Sequence, residues 1–276
     1  MLPGMLLAAA LLPAGYPSEI QAWRREREEN VKADWLTLAG LHWLQEGSNS
    51  FGSAPSNLLV LPAGPARAGV FEFRGGKTTV RAAPGVTITL DRRAITTREL
   101  RSDKPGPADM LRLGDLTLHV IQRGRRYGIR VRDPNSPERR AFRGLKWFVV
   151  RESWRVRARW VPHQPPKTIS IPTILGDVEP MSSPGYVVFT LAGREHRLEP
   201  VVDGEELFFL FRDATAGRET YPAGRFLNTP MPKDGAVILD FNKSYNPPCA
   251  YTKYATCPLP PKQNHLPVRI EAGEIM

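Results

Sequence analysis

From residue 35 to residue 241 the chain is a succession of short apolar runs, each of which ends near glycine, proline or asparagine. In the run 86–90, Val86, Ile88 and Leu90 alternate with threonines, and a period of two residues indicates a half-buried strand. Short strands separated by tight turns are typical of antiparallel sheets. We therefore predict a mainly β fold, an antiparallel sandwich or barrel.

The same reasoning places individual strands along the chain. Each predicted strand is an apolar or β-branched run between turn-forming residues. The predicted strands are 58–61, 70–73, 78–82, 86–90, 116–121, 127–131, 147–150, 154–161, 168–171, 186–191, 197–202, 206–211 and 236–241.

One helix is predicted, ahead of the β-rich part. Ser18 and Gln21 have the spacing of a capping box, and a narrow stripe recurs at helical spacing in Ile20, Trp23, Arg27 and Val31. We expect a helix over about 18–33, in a segment 17–34. The turn cluster at 133–137 divides the rest into β-rich subdomains 35–135 and 136–276, with one continuous folded unit as the alternative.

The first residues resemble the core of a signal peptide. Residues 5–12 are apolar and are followed by Pro13, Ala14 and Gly15, a length too short to cross a bilayer. No Lys or Arg precedes this run, so a frayed cytosolic N-terminus is the alternative. We predict a signal-like segment over 1–16, a periplasmic or secreted location and no membrane span.

Cys249 and Cys257 are the two cysteines of the chain. An even count beside a signal-like start favours one disulfide, with two buried free thiols as the alternative. Seven residues separate Cys249 from Cys257 and Cys257 from His265, whereas zinc ligands commonly pair two to four residues apart. We predict no metal site and no cofactor.

The positive charge is concentrated in one fifth of the sequence. The net charge of the chain is +10, and residues 121–170 contain 14 Lys plus Arg against 3 Asp plus Glu. Within 154–161, Arg155, Arg157 and Arg159 share one strand face, and the tryptophans share the other. We predict contact of these arginines with an anionic surface, with a solvated outer face as the alternative. Binding of nucleic acid is disfavoured because the aromatic side chains of this strand are on the opposite face from the arginines.

The last quarter of the chain contains the densest group of polar side chains, at predicted strand ends and in a proline-rich run. Loops at strand ends are where a β scaffold presents functional groups. We predict that they bind a small or polymeric ligand, in a pocket walled by prolines 247, 248, 258, 260 and 261. The predicted ligand-binding residues are Asp213, Tyr221, Arg225, Asp240, Asn242, Tyr245, Asn264 and Glu274.

Three interpretations of this group remain open. In the first, Arg225 anchors a ligand that Asp240, Asn242 and Asn264 orient. In the second, Asp240 or Glu274 is the general base of a hydrolase or lyase and Arg225 stabilises negative charge, so the choice between enzyme and binder stays open. In the third, Arg225 pairs with Asp240 or Glu274 only to satisfy a buried charge.

Several stretches resemble an uncharacterised bacterial and archaeal family that is known as a domain of unknown function. They are WLTLAGLHWLQEGSNSFGS at 35–53, FRGLKWF at 142–148, TAGRETYPAGRFL at 215–227 and LDFNKSYNPPCAYTKYATCPLPPKQNHLP at 239–267. The resemblance extends from about residue 20 and implies no activity or substrate, although many members carry signal peptides. Residues 47–133 also faintly resemble a forkhead-associated sandwich, without counterparts of its phosphothreonine-reading residues, which implies architecture alone.

Overall fold

Helix α1 (Tyr16–Asn30) opens the part of the chain that the structure, a computed structural model, describes, residues 15–276. The predicted signal-like segment 1–16 lies outside the described residues except for its last two positions. Helix α1 continues into a π-helical turn at Val31–Trp35. The predicted helix is therefore confirmed, but the capping box is wrong. Gly15 is the N-cap and Pro17 lies in the first turn, where its fixed φ suits a helix start, so Ser18 lies inside the helix.

The described residues 38–132 form two sheets, in which most neighbouring strands are antiparallel. One sheet has the order β1-β11-β10-β9-β6-β7, and the other has the order β3-β2-β4-β5-β8, in which β2 and β3 are parallel. The strands are β1 (Leu38–Trp43), β2 (Gly47–Gly52), β3 (Leu59–Val60), β4 (Gly69–Arg74), β5 (Lys77–Ala82), β6 (Ile88–Leu90), β7 (Arg93–Ile95), β8 (Thr97–Leu100), β9 (Leu111–Leu113), β10 (Leu116–Arg123) and β11 (Arg126–Arg132).

These two sheets enclose one apolar core, so they form a sandwich. Phe51 and Phe71 of the second sheet stack with ring centroids 4.3 Å apart and pack in the same cluster as Leu118 and Ile129 of the first. Alternation on β11 sends Ile129 and Val131 into this core and Arg130, between them, to the outer face. The predicted mainly β, sandwich-like fold is confirmed.

Residues 146–275 form three further sheets, with the strand orders β15-β14-β13-β19, β16-β17-β18 and β12-β20. Phe189, Phe209, Phe211 and Phe241 dominate their core. The short helix α2 (Pro137–Ala141) occupies the end of the turn cluster predicted at 133–137. The strands are β12 (Lys146–Trp147), β13 (Arg155–Pro172), β14 (Val178–Leu191), β15 (Arg194–Leu198), β16 (Val201–Asp203), β17 (Glu206–Phe211), β18 (Arg225–Pro230), β19 (Ala236–Asp240) and β20 (Glu274–Ile275).

Every predicted strand overlaps an observed one, although 147–150 shares only Trp147 with β12, and two further stretches are divided differently from the prediction. The strands predicted at 154–161 and 168–171 are one strand, β13, which continues through an irregularity between Pro162 and Lys167. The run 197–202 is instead divided between β15 and β16. A bulge accommodates prolines that cannot donate to a ladder, which is why β13 continues past them.

The two halves of the chain meet through the β13–β14 hairpin and helix α1. Asp177, at the hairpin tip, forms an ion pair with Arg126 of the first sandwich, and Glu179 lies 3.3 Å from Lys104. Among the described residues no strand joins the sheets of one half to those of the other. The division into subdomains 35–135 and 136–276 stays a prediction. None of the helices in residues 15–276 is long and apolar enough to cross a membrane.

Gly224 is a position where the C-terminal packing requires glycine. Its φ is +108°, and an added Cβ would lie 2.5 Å from the carbonyl oxygen of Phe211 and 2.7 Å from Pro260. We expect Gly224→Ala to lower the free energy of unfolding by about 3 kcal/mol or more, because a backbone clash adds to the strain of positive φ. Denaturant titration measures the loss.

Gly235 provides the matched control. Its φ is +68°, but nothing lies within 4 Å of an added Cβ. Gly235→Ala should therefore cost only the strain of the left-handed conformation, about 1–2 kcal/mol. Equal losses in the two variants would show that the chain at Phe211 and Pro260 moves aside.

Candidate functional site

Arg225, the first residue of β18, is fully buried. Its Nη2 donates to Asp213 Oδ1 at 3.1 Å and to the carbonyl of Ile270 at 2.9 Å, and its Nη1 donates to the carbonyl of Ala272. Asp213 also accepts from the hydroxyl of Thr215 and from the Ile270 N–H, each at 2.8 Å. Burial lowers the pKa of Arg225, and Asp213 opposes that shift. Arg225 and Asp213 thus tie β17 and β18 to residues 270–272.

The predicted partner of Arg225 was therefore wrong. The sequence suggested Asp240 or Glu274, but the ion pair is with Asp213. Phe211 pairs with Arg225 across β17 and β18, and Asp213 follows two residues later, so the ladder places the carboxylate beside the guanidinium. This register could not be seen in the sequence, where Asp213 looks like part of a turn.

Asp240 and Asn242 hold the start of helix α1. Asp240 Oδ1 accepts from the hydroxyl of Tyr16 at 2.8 Å and from the Asn242 N–H at 3.2 Å. The Asn242 side chain accepts from the Arg151 N–H and donates to the Arg151 carbonyl, at 3.2 and 2.9 Å. Burial and then Asp240 raise the pKa of Tyr16. Both predicted ligand-orienting groups are thus bonded inside the protein.

Asn264 and Tyr221 also bond to main-chain groups. The Asn264 side chain accepts from the Glu199 N–H and donates to its carbonyl, both at 2.8 Å, and it donates to the Leu210 carbonyl at 2.9 Å. The Tyr221 hydroxyl donates to the carbonyl of Cys249 at 3.2 Å. Both side chains fix irregular segments of the C-terminal region.

Tyr245 forms one side of a stacked group that includes helix α1. The guanidinium of Arg27 lies 4.2 Å from the centre of the Tyr245 ring and 3.9 Å from that of Trp35. The Tyr245 hydroxyl donates to Asn228 Oδ1 at 2.6 Å, and burial raises the pKa of Tyr245 to about 12. The cation–π contacts of Arg27 thus join helix α1 to the π-helical turn through Trp35 and to the C-terminal region through Tyr245.

Glu274 is a buried carboxyl group beside Asn246. It accepts from the Asn246 N–H at 3.1 Å and from its side-chain amide at 3.0 Å. Burial raises the pKa of Glu274 to about 7, although Arg27 acts in the opposite direction. Asn246 Oδ1 is buried without a partner among the described residues. The two hydrogen bonds from Asn246 favour the ionised carboxylate, but burial outweighs them.

All eight predicted ligand-binding residues are therefore at least partly buried and have partners within the protein. Arg225 contacts Asp213 and Asp240 contacts Asn242, whereas the other four belong to separate hydrogen-bond groups. Their part in ligand binding, and a hydrolase that uses Asp240 or Glu274 beside Arg225, stay predictions. The contacts themselves give each side chain a stabilising role.

The two cysteines and the three arginines of β13 are the remaining features that the sequence singled out. Cys249 and Cys257 form a disulfide, with Cα atoms 6.3 Å apart. Arg155, Arg157 and Arg159 are exposed on β13, while Ala158 between them is buried. The disulfide is confirmed, whereas contact of the arginines with an anionic surface stays a prediction.

A cavity of about 230 Å³ lies between the two halves, and we call it the interface cavity. Trp35 and Leu38 form one wall, and Arg130 of β11 with its neighbour Arg132 forms the second. The third wall comes from the C-terminal region and comprises Phe208, Phe226, Pro248 and residues 255–258. Two prolines of the predicted pocket wall, 248 and 258, therefore do line a cavity.

The positive charge of the interface cavity comes from β11. Arg130 has only two long contacts, from Nη2 to Thr256 Oγ1 at 3.3 Å and to the Tyr254 carbonyl at 3.5 Å, and its Nε is buried without a partner among the described residues. Burial, and then the neighbouring Arg123, lower the pKa of Arg130 to about 10. No carboxylate of residues 15–276 lies within ion-pair distance of Arg130.

The neighbouring arginines differ from Arg130 in this respect. Arg123 pairs with Asp103 at 2.8 Å, and Arg132 lies 3.5 Å from a carboxylate oxygen of Asp34. His119, opposite Arg130 on β10, adds no second positive charge, because burial and then Arg130 lower its pKa to about 4 and keep it neutral. Arg130 is the least compensated cation of the cavity.

Arg130 and Arg132 were not among the predicted site residues. The available signal was their period of two on β11, opposite Tyr127, Ile129 and Val131. That pattern identifies an outer face but not what covers it. The second half of the chain covers this face, and its position cannot be read from the strand itself.

These features define a β protein of two packed halves with a cationic cavity at their contact. The family described as "Protein of unknown function (DUF1684)" matches residues 140–275. The C-terminal region thus belongs to an uncharacterised family, as the resemblance predicted. The match begins at residue 140, so the resemblance of residues 20–139 stays a prediction. A comparison with curated proteins gives no match.

Two solved structures are similar to parts of the chain. The uncharacterized protein from gene locus rrnAC0354 of Haloarcula marismortui is 32% identical over 52% of this chain and 83% of its own, with a TM-score of 0.43. The FhaA FHA domain, solved with the intracellular domain of Rv3910, is 20% identical over 33% of this chain and 97% of its own, with a TM-score of 0.24.

Arg225→Met tests the stabilising role of the buried ion pair. The substitution leaves Asp213 buried without its cation, so we expect the free energy of unfolding to fall by about 3–5 kcal/mol. Denaturant titration of the variant measures this loss.

The double variant Arg225→Met/Asp213→Asn is the control, because it removes both charges. Its loss should be smaller than the sum of the two single losses, as expected of residues in contact. Additive losses would contradict a direct pair, and an unchanged stability of Arg225→Met would contradict its bracing role.

Glu274→Gln tests the raised pKa. Because the folded protein retains this proton up to about pH 7 and the unfolded chain loses it near 4.5, stability should fall as pH rises between these values. The loss should reach about 3 kcal/mol at most, and Glu274→Gln should abolish it. Denaturant titrations between pH 4 and 8 measure the free energy of unfolding of the parent and of the variant. The contributions of the other titrating groups cancel in the difference between the two proteins.

The matched control is Glu26→Gln, which changes an exposed glutamate of helix α1. This variant should keep the pH dependence of the parent. A Glu274→Gln variant with the same pH dependence as the parent would contradict the raised pKa.

Proposed function

We propose that the protein binds a small anion with an apolar portion, a carboxylate or phosphate ester, in the interface cavity, and that it does so outside the cytoplasm. The observation that carries this proposal is Arg130, a largely buried cation without a carboxylate partner among the described residues. The proposal keeps the predicted ligand pocket at the C-terminal region but takes its charge from β11.

Free-energy considerations support an anion at this position. A buried guanidinium loses its hydration, and this cost is offset only when hydrogen bonds and an opposite charge replace the water. Arg130 has long contacts to Thr256 and Tyr254 and an unpartnered Nε. An anion in the cavity that Arg130 lines would supply the opposite charge, and guanidinium groups suit the two oxygens of a carboxylate or phosphate.

The other walls support an apolar portion of the ligand. Trp35, Phe208 and Phe226 line the same cavity, and they would accept an aromatic or aliphatic group next to the anion. Cys257 and its neighbours form the wall opposite, which the disulfide to Cys249 closes into a short loop. Fixed walls of this kind reduce the ordering cost of binding.

The disulfide also supports the proposed location. Disulfides form and persist in oxidising compartments, and Cys249 and Cys257 pair within the described residues. A periplasmic or secreted protein meets this condition. The predicted signal-like segment leads to the same expectation, although it lies outside the described residues.

Arg130→Met tests the proposal with phenyl phosphate as the probe and inorganic phosphate for comparison. We expect the parent protein to bind phenyl phosphate more tightly than inorganic phosphate, and Arg130→Met to weaken this binding at least tenfold, about 1.4 kcal/mol. Because the variant no longer buries an unpaired cation, it should also unfold at a higher temperature than the parent when no ligand is present. Calorimetric titration and thermal unfolding measure the two effects.

Arg157→Met is the matched control, because Arg157 is an exposed arginine on β13, away from the interface cavity. It should change neither phenyl phosphate binding nor stability. Equal affinities of the parent and of Arg130→Met for phenyl phosphate would overturn the proposal.

A further inference from the structure

A second cavity, of about 240 Å³, lies entirely within the second half of the chain. Strands β13, β14 and β15 and the turn at Lys262–Asn264 surround it, and it does not share a lining residue with the interface cavity. We call it the hairpin cavity. Its polar lining residues are His163, Lys167, Tyr186, Arg197, Glu199 and Gln263.

Prolines in β13 open this cavity. The ladder between β13 and β14 is regular up to Pro162, opposite Gly185, and resumes at Lys167, opposite Ser183. Residues 163–166 lie between these pairs, and two of them are prolines without an N–H to donate. Gly185 is required here because an added Cβ would lie 2.5 Å from the Trp160 ring. The bulge displaces His163 from the ladder towards the cavity.

The chemistry of the hairpin cavity centres on His163 and Glu199. His163 Nε2 lies 2.9 Å from Glu199 Oε1. A carboxylate at this distance favours the tautomer with the proton on Nε2, which leaves a lone pair on Nδ1. Nδ1 makes no hydrogen bond with the described residues and is not among their sealed, unpartnered atoms. The ring therefore presents a basic nitrogen that solvent can reach.

Glu199 is held in place from several directions. Its carboxylate also accepts from the Ser183 hydroxyl at 3.2 Å and from the Gln263 amide at 3.1 Å. Asn264 fixes its main chain through the N–H and the carbonyl. A carboxylate with this many contacts cannot swing away from His163, and such fixed carboxylates orient a catalytic imidazole in hydrolases.

The remaining polar residues make the hairpin cavity attractive to an anion. Lys167 and Arg197 are exposed at its rim, and the Arg197 guanidinium lies 5.4 Å from the centre of the Tyr186 ring. The contact of Arg197 with Glu195 is long, 3.9 Å, and exposed, so it leaves the cation available. Of residues 15–276, Glu199 is the one carboxylate that lines the cavity.

We propose that the hairpin cavity hydrolyses esters that carry a negative charge, with His163 as the general base and Glu199 as its positioning residue. Water transfers a proton to His163 Nδ1 while its oxygen attacks the ester carbonyl carbon, and the carbonyl electron pair moves to oxygen. When this pair returns, the bond to the alcohol oxygen breaks. The departing oxygen takes the proton from Nδ1, so ester and water become carboxylic acid and alcohol.

Lys167 and Arg197, at the rim of the cavity, contribute to this reaction through their positive charge. Lys167 and Arg197 bind the negatively charged group of the substrate and lower the energy of the developing oxyanion. Because they are exposed, their attraction should weaken as salt is added. The acidic product and the anionic substrate share this attraction, so product release should also be faster at high salt.

The test uses 4-acetoxybenzoate as the substrate and its neutral methyl ester for comparison. We expect hydrolysis of 4-acetoxybenzoate above the buffer rate, with a KM at least tenfold below that of the methyl ester. His163→Gln should lower kcat/KM at least 100-fold, because general base catalysis is worth about that much, while glutamine can still donate to Glu199. His265→Gln changes an exposed histidine outside the cavity and should leave the rate unchanged.

Glu199→Gln separates positioning from simple packing. The variant should lower kcat about tenfold and leave the KM for 4-acetoxybenzoate unchanged, because Glu199 orients the imidazole and does not bind the substrate. Thermal unfolding checks that each variant is folded. A parent rate equal to that of buffer, or a folded His163→Gln variant as fast as the parent, would overturn the proposal. Arg130→Met should keep the esterase activity, so the two proposed sites can fail separately.

Discussion

The ion pair between Arg225 and Asp213 is the constraint on which the C-terminal half depends. A guanidinium without solvent access requires acceptors within the protein. The two Nη groups of Arg225 find them in Asp213 and in the carbonyls of Ile270 and Ala272, whereas its Nε has no partner among the described residues. The pair therefore fixes the path of the last residues of the chain across β17 and β18. Strand β20 follows directly and pairs with β12, which brings Glu274 beside Asn246. Replacement of such a pair by apolar residues can be neutral, so its effect here is to select one path for an irregular segment.

The fold was largely predictable from the sequence, and the errors have identifiable causes. The predicted 206–211 coincides with β17, because all but its first residue is apolar and buried and the run has clear turn signals on both sides. Strand β18 was missed because it begins with Arg225 and ends at Pro230, two residues that disfavour a strand when neighbours are unknown. The continuity of β13 was missed for a similar reason, since its prolines look like an ending. In both cases tertiary packing overrides local preference.

The candidate sites were only partly predictable. The sequence predicted a dense polar group at strand ends and in the proline-rich run, and the structure shows these side chains at least partly buried and bonded within the protein. An irregular, proline-rich segment has few ladder partners for its peptide groups, and side chains such as Asn264 and Asn242 supply them. A polar motif is therefore also what an irregular buried segment needs in order to fold. Arg130 illustrates the opposite case, because the absence of a partner is a tertiary property that no spacing reveals.

The same C-terminal segment reaches both cavities. Residues 255–258 form a wall of the interface cavity, and Gln263 and Asn264 hold Glu199 beside the hairpin cavity. The prolines between them keep the connection extended, and the disulfide at one end and the contacts of Asn264 at the other limit its movement. Because this segment is fixed at both ends, the two cavity walls that it forms can move little. Each cavity therefore has a preset shape. Preset cavities favour ligands that match them without rearrangement, which suits small rigid anions better than flexible chains.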